Sequence, residues 1–410
     1  IRDSSTSRGL GMCIRDSMKL LHLSDLHLGK KLNEFSLYED QKYILQRIVQ
    51  MICAKQPDCV LLAGDIYDKP VPPAEAVVLF DDFLNQLAEL KVPVCIISGN
   101  HDSAERLAFG AQLMSGSGIH FAGSYNGEEQ KLVLEDEFGR VNIFLLPFLK
   151  PAVVKHWAPE EAAAEITGYH DAVKYAVSQL QLAQDERNVL VAHQFVTGAV
   201  TAGSEAVNVG GLDNIGAEVF AAFDYVALGH IHTRFASPTQ RVQYSGSPVA
   251  FNVKEAKRKE EKGVYILELD ASGDLSQTFH PLEVKRPILA LQATFETLMS
   301  PEFYKEQPCQ KAWFAFDIQL SSRKELEGIN VRARLEEIYG TDIVEITFSR
   351  LGDVREENVT VDQHLKDLEM QSPQEIVFDF YQTVTGGDVL SERQTALVES
   401  IFEEIERSRQ

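Results

Sequence analysis

Five short apolar runs in this chain end on residues of types that can bind metals. "KLLHLSDLH" leads to Asp25 and His27, and "CVLLAGDIYD" leads to Asp65 and Asp68. "VPVCIISGNHD" ends on Asn100, His101 and Asp102, "NVLVAH" on His193, and "YVALGHIH" on His230 and His232. Each run is only a few residues of mainly branched or apolar type, as is a sixth, "VNIFLLPF", which suits a buried strand. Helical patterns separate the first three. One has Ile44, Leu45, Ile48, Val49 and Ile52 on a single face, and the next has Val77, Phe80, Phe83, Leu84, Leu87 and Leu90. The alternation predicts an α/β layer structure with helices covering sheet faces. In such sheets functional groups gather beyond the carboxyl ends of strands, so the recurrence of polar groups at that position matters more than any one of them.

Taken singly, each piece has a plainer explanation. Asp-x-His is usually a surface pair, Asp65 after Gly64 suits a turn or helix cap, and Asn100 is a common turn residue. A lone His193 would be a hydrogen-bonded core histidine. His230 and His232 are harder to dismiss, because two alternating imidazoles at a strand end need partners. Together the set is specific about chemistry. Imidazole, carboxylate and amide oxygen without thiolate suit Mn²⁺, Fe²⁺, Zn²⁺ or Mg²⁺, and the histidines weigh against a pure Mg²⁺ or Ca²⁺ site. Asp25, His27, Asp65, Asn100, His193, His230 and His232 are too many for one tetrahedral ion. They fit two ions bridged by a carboxylate, ~3.5–4 Å apart as in two-metal hydrolytic sites.

Composition narrows the setting. The five cysteines, Cys13, Cys53, Cys59, Cys95 and Cys309, are odd in number and lack CxxC spacing, which suits a reducing cytoplasm. No apolar run approaches the ~18–20 residues of a membrane helix. A net charge of −22 is unlike a protein that grips DNA unaided, since Lys and Arg supply most phosphate affinity. Residues 1–17 repeat "IRDS" in a polar stretch without an apolar core. They are expected to be a non-native leader, with Met18 as the native start. A turn-rich segment at Leu269–Gln277 predicts one domain over 18–280 and a small α+β domain over 281–385. The tail, 386–410, reads as a charged amphipathic helix. Ser391 and Gln394 have capping-box spacing there, and Leu397, Ile401 and Ile405 form a stripe.

"DLH", "GD", "GNHD", "H" and "GHIH", in this order, resemble the calcineurin-like metallophosphoesterase superfamily. "AGDIYDKPVPPAEAV", "SGNHDSAERL" and "YSGSPVAFNVKEA" (Tyr244–Ala256) are similar to the SbcD family of nuclease subunits. The resemblance implies a two-layered β-sandwich flanked by helices, with a small α+β capping domain and a C-terminal helix that binds a partner. It implies two divalent ions, Mn²⁺ foremost. Asp25, His27 and His232 would hold one, Asn100, His193 and His230 the other, with Asp65 bridging. His101 matches the catalytic histidine near the leaving-group oxygen, and Asp68 stands where related phosphatases place its acidic partner.

The implied activity is metal-dependent DNA hydrolysis, as an ATP-dependent double-strand exonuclease and single-strand endonuclease in recombination, replication and repair. The implied assembly is a homodimer within a heterotetramer with an SbcC-like SMC-type ATPase. This chain has no GxxxxGK[ST] motif, so ATP handling would fall to that partner, which could also supply the positive field for DNA. Two rival readings use the same scaffold: a phosphoprotein phosphatase or cyclic-nucleotide phosphodiesterase, and a non-enzymatic protein with a degraded site. The phosphatase branch carries Arg-Gly after its second aspartate and Glu after the "GNH" histidine. "DKP" and "HDS" stand here instead, and the complete ligand set argues against degradation.

Overall fold

A computed structural model describes residues 17–196, 214–351, 391 and 394–395. The chain divides into two compact units. The first comprises the chain to Ala290 with Pro308–Ala315 and Thr341–Val344. The second comprises Leu291–Gln307, Phe316–Gly340 and the chain from Glu345. The change of character expected near 281 therefore precedes Leu282–Ala290, which stay with the first unit. Leu282 and Trp313 explain this, since both are buried in its core.

The first unit begins with β1 (Met18–Leu23), a short hairpin of β2 (Lys31–Leu32) and β3 (Phe35–Ser36), and α1 (Tyr38–Lys55). Then come β4 (Cys59–Ala63), α2 (Ala74–Leu90), β5 (Val94–Ile97) and β6 (Ile119–Ala122). β7 (Lys131–Asp136), β8 (Gly139–Leu146), β9 (Arg187–His193), β10 (Tyr225–Gly229) and β11 (Val242–Tyr244) follow. β12 (Gly263–Leu269) and β13 (Leu275–Pro281) complete the series. Two sheets result, ordered β13-β12-β1-β4-β5-β6 and β11-β10-β9-β8-β7.

Side-chain alternation along the strands builds a layered core. In β4, Cys59, Leu61 and Ala63 join the cluster shared with Val189, Val191, Tyr225 and Ala227 of the other sheet, while Val60 and Leu62 face α1 and α2. Burial on both faces is why β1 and β4 read as near-continuous apolar runs rather than alternating ones. Pro151–Trp157 and Tyr169–Ser178 cover the outer face of the second sheet, through Val154, Ala172, Val173 and Ala176. This is the expected β-sandwich flanked by helices. Polar bridges also cross the sandwich, and in one of them Tyr225 donates its hydroxyl to His22 Nδ1 at 2.8 Å, while His22 Nε2–H donates to Leu228 O at 3.1 Å.

The face of α2 differs from the expected one. Ala76, Leu79, Phe80, Phe83, Leu84 and Leu87 are buried, whereas Val77 is 44% and Leu90 37% exposed. Five consecutive apolar residues, 76–80, follow Glu75 in this helix, so several stripes are open to it and packing on β4 and β5 selects one.

The second unit is mixed. β14 (Ile288–Thr294), β15 (Trp313–Leu320) and β16 (Ile343–Arg350) form a three-stranded sheet. Within the unit, Tyr339 of the helix Val331–Tyr339 packs edge-on against Phe316 and donates its hydroxyl to Leu298 O at 2.7 Å. Of the expected leader, 1–17, all but Ser17 lies outside the described residues, as does the Leu397, Ile401, Ile405 stripe. Of the tail, Ser391 N–H and Oγ–H both donate to Gln394 Oε1, which is half of the expected capping box.

Candidate metal centre

Strand register brings the polar ends to one edge. β1, β4 and β5 are parallel, pairing Leu23 with Leu62 and Ala63 with Ile97, so the loops carrying Asp25, Asp65 and Asn100 leave side by side. In the second sheet parallel β9 and β10 pair His193 with Gly229, which sets His193 beside His230. The two layers meet at this edge. Asp25, His27 and His232 bring ligand atoms within 4.8 Å of one another, and so do Asp65, His193 and His230. All six are buried.

Asn100 and Asp65 tie the groups together. Asn100 Oδ1 lies 3.0 Å from His193 Nε2 and 2.9 Å from His230 Nδ1. Asp65 Oδ2 is 3.4 Å from His27 Nε2 and 3.4 Å from His193 Nε2, while its other oxygen accepts the His101 amide at 2.9 Å. Asp25 accepts the His230 amide at 3.0 Å. One carboxylate thus faces both imidazole groups.

The backbone is bent to achieve this. Asp25, His27, Asp65 and His230 all have positive φ, at 55°, 41°, 50° and 98°. Such conformations cost roughly 1–3 kcal/mol each and persist only where the surroundings enforce them. Two glycines make room. At Gly64 (φ 85°) a Cβ would strike the His193 ring, and at Gly229 it would strike Ala63 O and approach His193 Nδ1 to 2.7 Å.

The donor set fits cations. His193 Nδ1–H donates to Ala63 O at 2.8 Å, so the neutral ring turns an Nε2 lone pair toward Asp65 and Asn100. His232 Nδ1–H donates to Glu255 Oε1 at 3.2 Å, leaving its Nε2 lone pair opposite His27 Nε2 at 3.1 Å. Electron-rich atoms therefore converge, and a positive charge among them is favourable. Without metal a proton answers that field. Burial alone would lower His193, but Asp65 and Asp25 outweigh it and raise its pKa to about 9. Burial likewise opposes ionisation of Asp65, yet His193 and His27 hold it well below the usual carboxylate range. Burial lowers His27 well below its ordinary value and His230 to about 3, so both keep lone pairs at neutral pH.

His101 and Asp68 are adjacent, but not through the contact expected. His101 Nδ1–H donates to the backbone carbonyl of Asp68 at 2.9 Å. The Asp68 carboxylate instead accepts from Lys30 Nζ at 2.6 Å and stands 3.7 Å from His27 Nδ1. A grouping of His27, Asp68 and His101 thus already has an ammonium as its cation. Asp102, at the end of the third run, does not face the ligands. Its carboxylate accepts amides from Ile66, Tyr67 and Gly99 at 3.1, 2.9 and 2.9 Å, which stitches two ligand-bearing loops together. Sequence reasoning missed Lys30, Phe251, Glu255 and Lys262. Phe251 lies edge-on to His27 and His232, with centroids 5.2 and 5.4 Å away.

The calcineurin-like phosphoesterase family profile matches residues 18–234. The chain is 32% identical over 286 residues to the SbcD subunit of the nuclease SbcCD from Staphylococcus epidermidis, covering 69% of this chain and 74% of that protein. Among solved structures, it is similar to a dimetal phosphatase from Danio rerio, at 13% identity and a TM-score of 0.39, over 65% of this chain and 97% of that one. It is also similar to the phosphoesterase YfcE from E. coli, at 14% identity and a TM-score of 0.24, over 64% and 98%. The chain belongs to the calcineurin-like phosphoesterases and, within them, to the SbcD-like proteins.

Proposed function

We propose that this protein is a Mn²⁺-dependent DNA nuclease that hydrolyses phosphodiester bonds together with an SbcC-like SMC-type ATPase. The observation that carries the reading is Asp65 Oδ2 standing 3.4 Å from both His27 Nε2 and His193 Nε2, a corner shared by two ligand sets. Asp25, His27 and His232 would hold one ion, and Asn100, His193 and His230 the other, with Asp65 between them. Two bound ions supply Lewis acidity and a water activated at neutral pH.

The chain's own residues hold and orient the reactants. Asp65 stays ionised, while His27 and His230 stay neutral, so these three need no prior proton loss, whereas His193 gives up its proton when a cation takes that place. The Asp68 carbonyl fixes His101 by Nδ1, which leaves Nε2 as the nitrogen that meets the substrate. In its charged form His101 donates to the leaving-group oxygen. Asp68 takes part through its carbonyl and by holding Lys30 at the rim.

Nuclease activity is supported by the name of the Staphylococcus relative, a nuclease subunit, and by "DKP" and "HDS" in place of the phosphatase residues. The acidity of the chain suits a partner that carries the positive field. The proposed assembly is a homodimer within a heterotetramer, working in the cytoplasm. Residues 281–385 would cap the site, and 386–410 would dock the ATPase. Among the described residues no helix is long and apolar enough to cross a membrane.

End-labelled DNA tests the reading. Purified chain, with and without the ATPase, is incubated with Mn²⁺ or Mg²⁺ on single- and double-stranded substrates. Metal-dependent shortening of the strands is expected. Turnover of small phosphoesters with no action on DNA, even with the partner, would overturn it in favour of a phosphatase.

A further inference from the structure

We propose that Glu255, braced by Lys262, positions His232 and sets the affinity of the ion position formed by Asp25, His27 and His232. The inference rests on the two-ion reading above and adds residues to it.

Glu255 is 2% exposed and lies in the helix Val253–Lys257, beyond the last histidine motif. Its Oε1 accepts His232 Nδ1–H at 3.2 Å and Asn252 Nδ2–H at 3.1 Å. Its Oε2 accepts the Phe251 amide at 3.1 Å and lies 3.5 Å from Lys262 Nζ. Lys262 in turn donates to His232 O at 2.7 Å and to Ser247 Oγ at 3.2 Å. The pair thus grips His232 at both ends, the ring through Glu255 and the backbone through Lys262. It also holds Phe251, whose ring lies against both His27 and His232.

Stability alone is a weak reason to bury such a pair. Desolvating two charges is costly, and apolar replacements of similar volume are often neutral or better. The contact with His232 gives the arrangement a purpose. A carboxylate on Nδ1 fixes the tautomer, keeps Nε2 free and makes it a better electron donor.

The two ion positions differ in this respect. His193, in the second set, has its Nδ1 held by the neutral carbonyl of Ala63. Among the described residues, His232 is the ligand histidine whose Nδ1 hydrogen-bonds a carboxylate. Glu255 should therefore govern one position and leave the other alone.

Calorimetric titration of Mn²⁺ into the metal-free full chain tests this, using wild type, Glu255→Gln and Lys262→Met. The expected result is two ions in wild type and, in Glu255→Gln, one of them weakened ~10–100-fold with the second unchanged. Lys262→Met should weaken the same ion, and Glu255→Asp, which shortens the reach to Nδ1, should restore little. Two ions of wild-type affinity in a folded Glu255→Gln chain would overturn the proposal while sparing the two-ion reading. Equal weakening of both ions would also overturn it, by making the pair a general support of the fold. If Glu255→Gln does not fold, Lys262→Met and Glu255→Asp decide, since unchanged affinity in both contradicts the proposal. A single ion in wild type would instead sink the reading on which it rests.

Discussion

The Nε2 atoms of His27 and His232 face each other at 3.1 Å, although they come from the first strand end and the last histidine motif. The Nδ1 proton of His232 is committed to Glu255, and burial keeps His27 neutral. Two imidazole nitrogens so placed are arranged around a charge between them, and the predictions follow from that arrangement.

His101 separates binding from chemistry. It is held by the Asp68 carbonyl and does not belong to either ligand set of the proposed ions, so His101→Ala should retain both metals. Hydrolysis should fall by roughly 10²–10⁴-fold, the range for a lost general acid. Metal content and steady-state rates of the variant check this. Loss of an ion would make His101 a ligand, and near-normal turnover would remove it from the mechanism.

Gly229→Ala addresses the close packing behind His193. Its Cβ would collide with Ala63 O, the acceptor that fixes His193 Nδ1. Overpacking of this kind costs about 1–3 kcal/mol, and the displaced imidazole should also weaken metal binding. Urea midpoints and Mn²⁺ titration measure both. Wild-type values in each would show that the backbone yields at no expense.

His22 predicts a pH dependence of stability. Burial lowers its pKa to about 3, against 6.5 for the ordinary group. Between those values the unfolded chain binds a proton that the folded chain refuses. Its contribution is therefore full above about pH 6.5 and is lost as pH falls toward 3, with a slope of up to about 1.4 kcal/mol per pH unit. His22→Gln can keep the bonds to Tyr225 and Leu228 without titrating. The stability advantage of wild type over this variant, from urea melts of metal-free protein, should shrink as pH drops from 7 to 4.5. A constant difference would show that His22 is not the titrating group.

The tail carries the partner prediction. The proposed docking of 386–410 on the SMC-type ATPase predicts that charged replacements at Leu397 and Ile401 abolish co-purification, because a helix-in-groove contact depends on a few apolar anchors. Mn²⁺-dependent cleavage of a short single strand by the isolated chain should survive. Loss of that cleavage would place the stripe in the fold, and undiminished complex formation would place the partner surface elsewhere.

The strand ends were legible because each apolar run stops at a polar residue, as at Ala63-Gly64-Asp65 and Gly229-His230. The facing of the two sheets was not, since β1 and β4 bury both faces and show no alternation to separate inner from outer side chains. The α2 stripe was shifted for a similar reason, with too many apolar residues to choose among. The role of Asp102 was not legible, because three amide donors claim its carboxylate and sequence does not show where backbone N–H groups point. Glu255 lay hidden in "NVKEAKRKEE", where acidic residues are ordinarily solvent-facing. Only the fold brings it under His232.

Mn²⁺ stoichiometry at saturation, in wild type and His230→Ala, tests the central claim most directly. Two ions per chain are expected in wild type, and the variant should lose one ion together with at least ~10–100-fold of its activity. One ion in wild type, or a His230→Ala chain with both ions and full activity, would contradict the account.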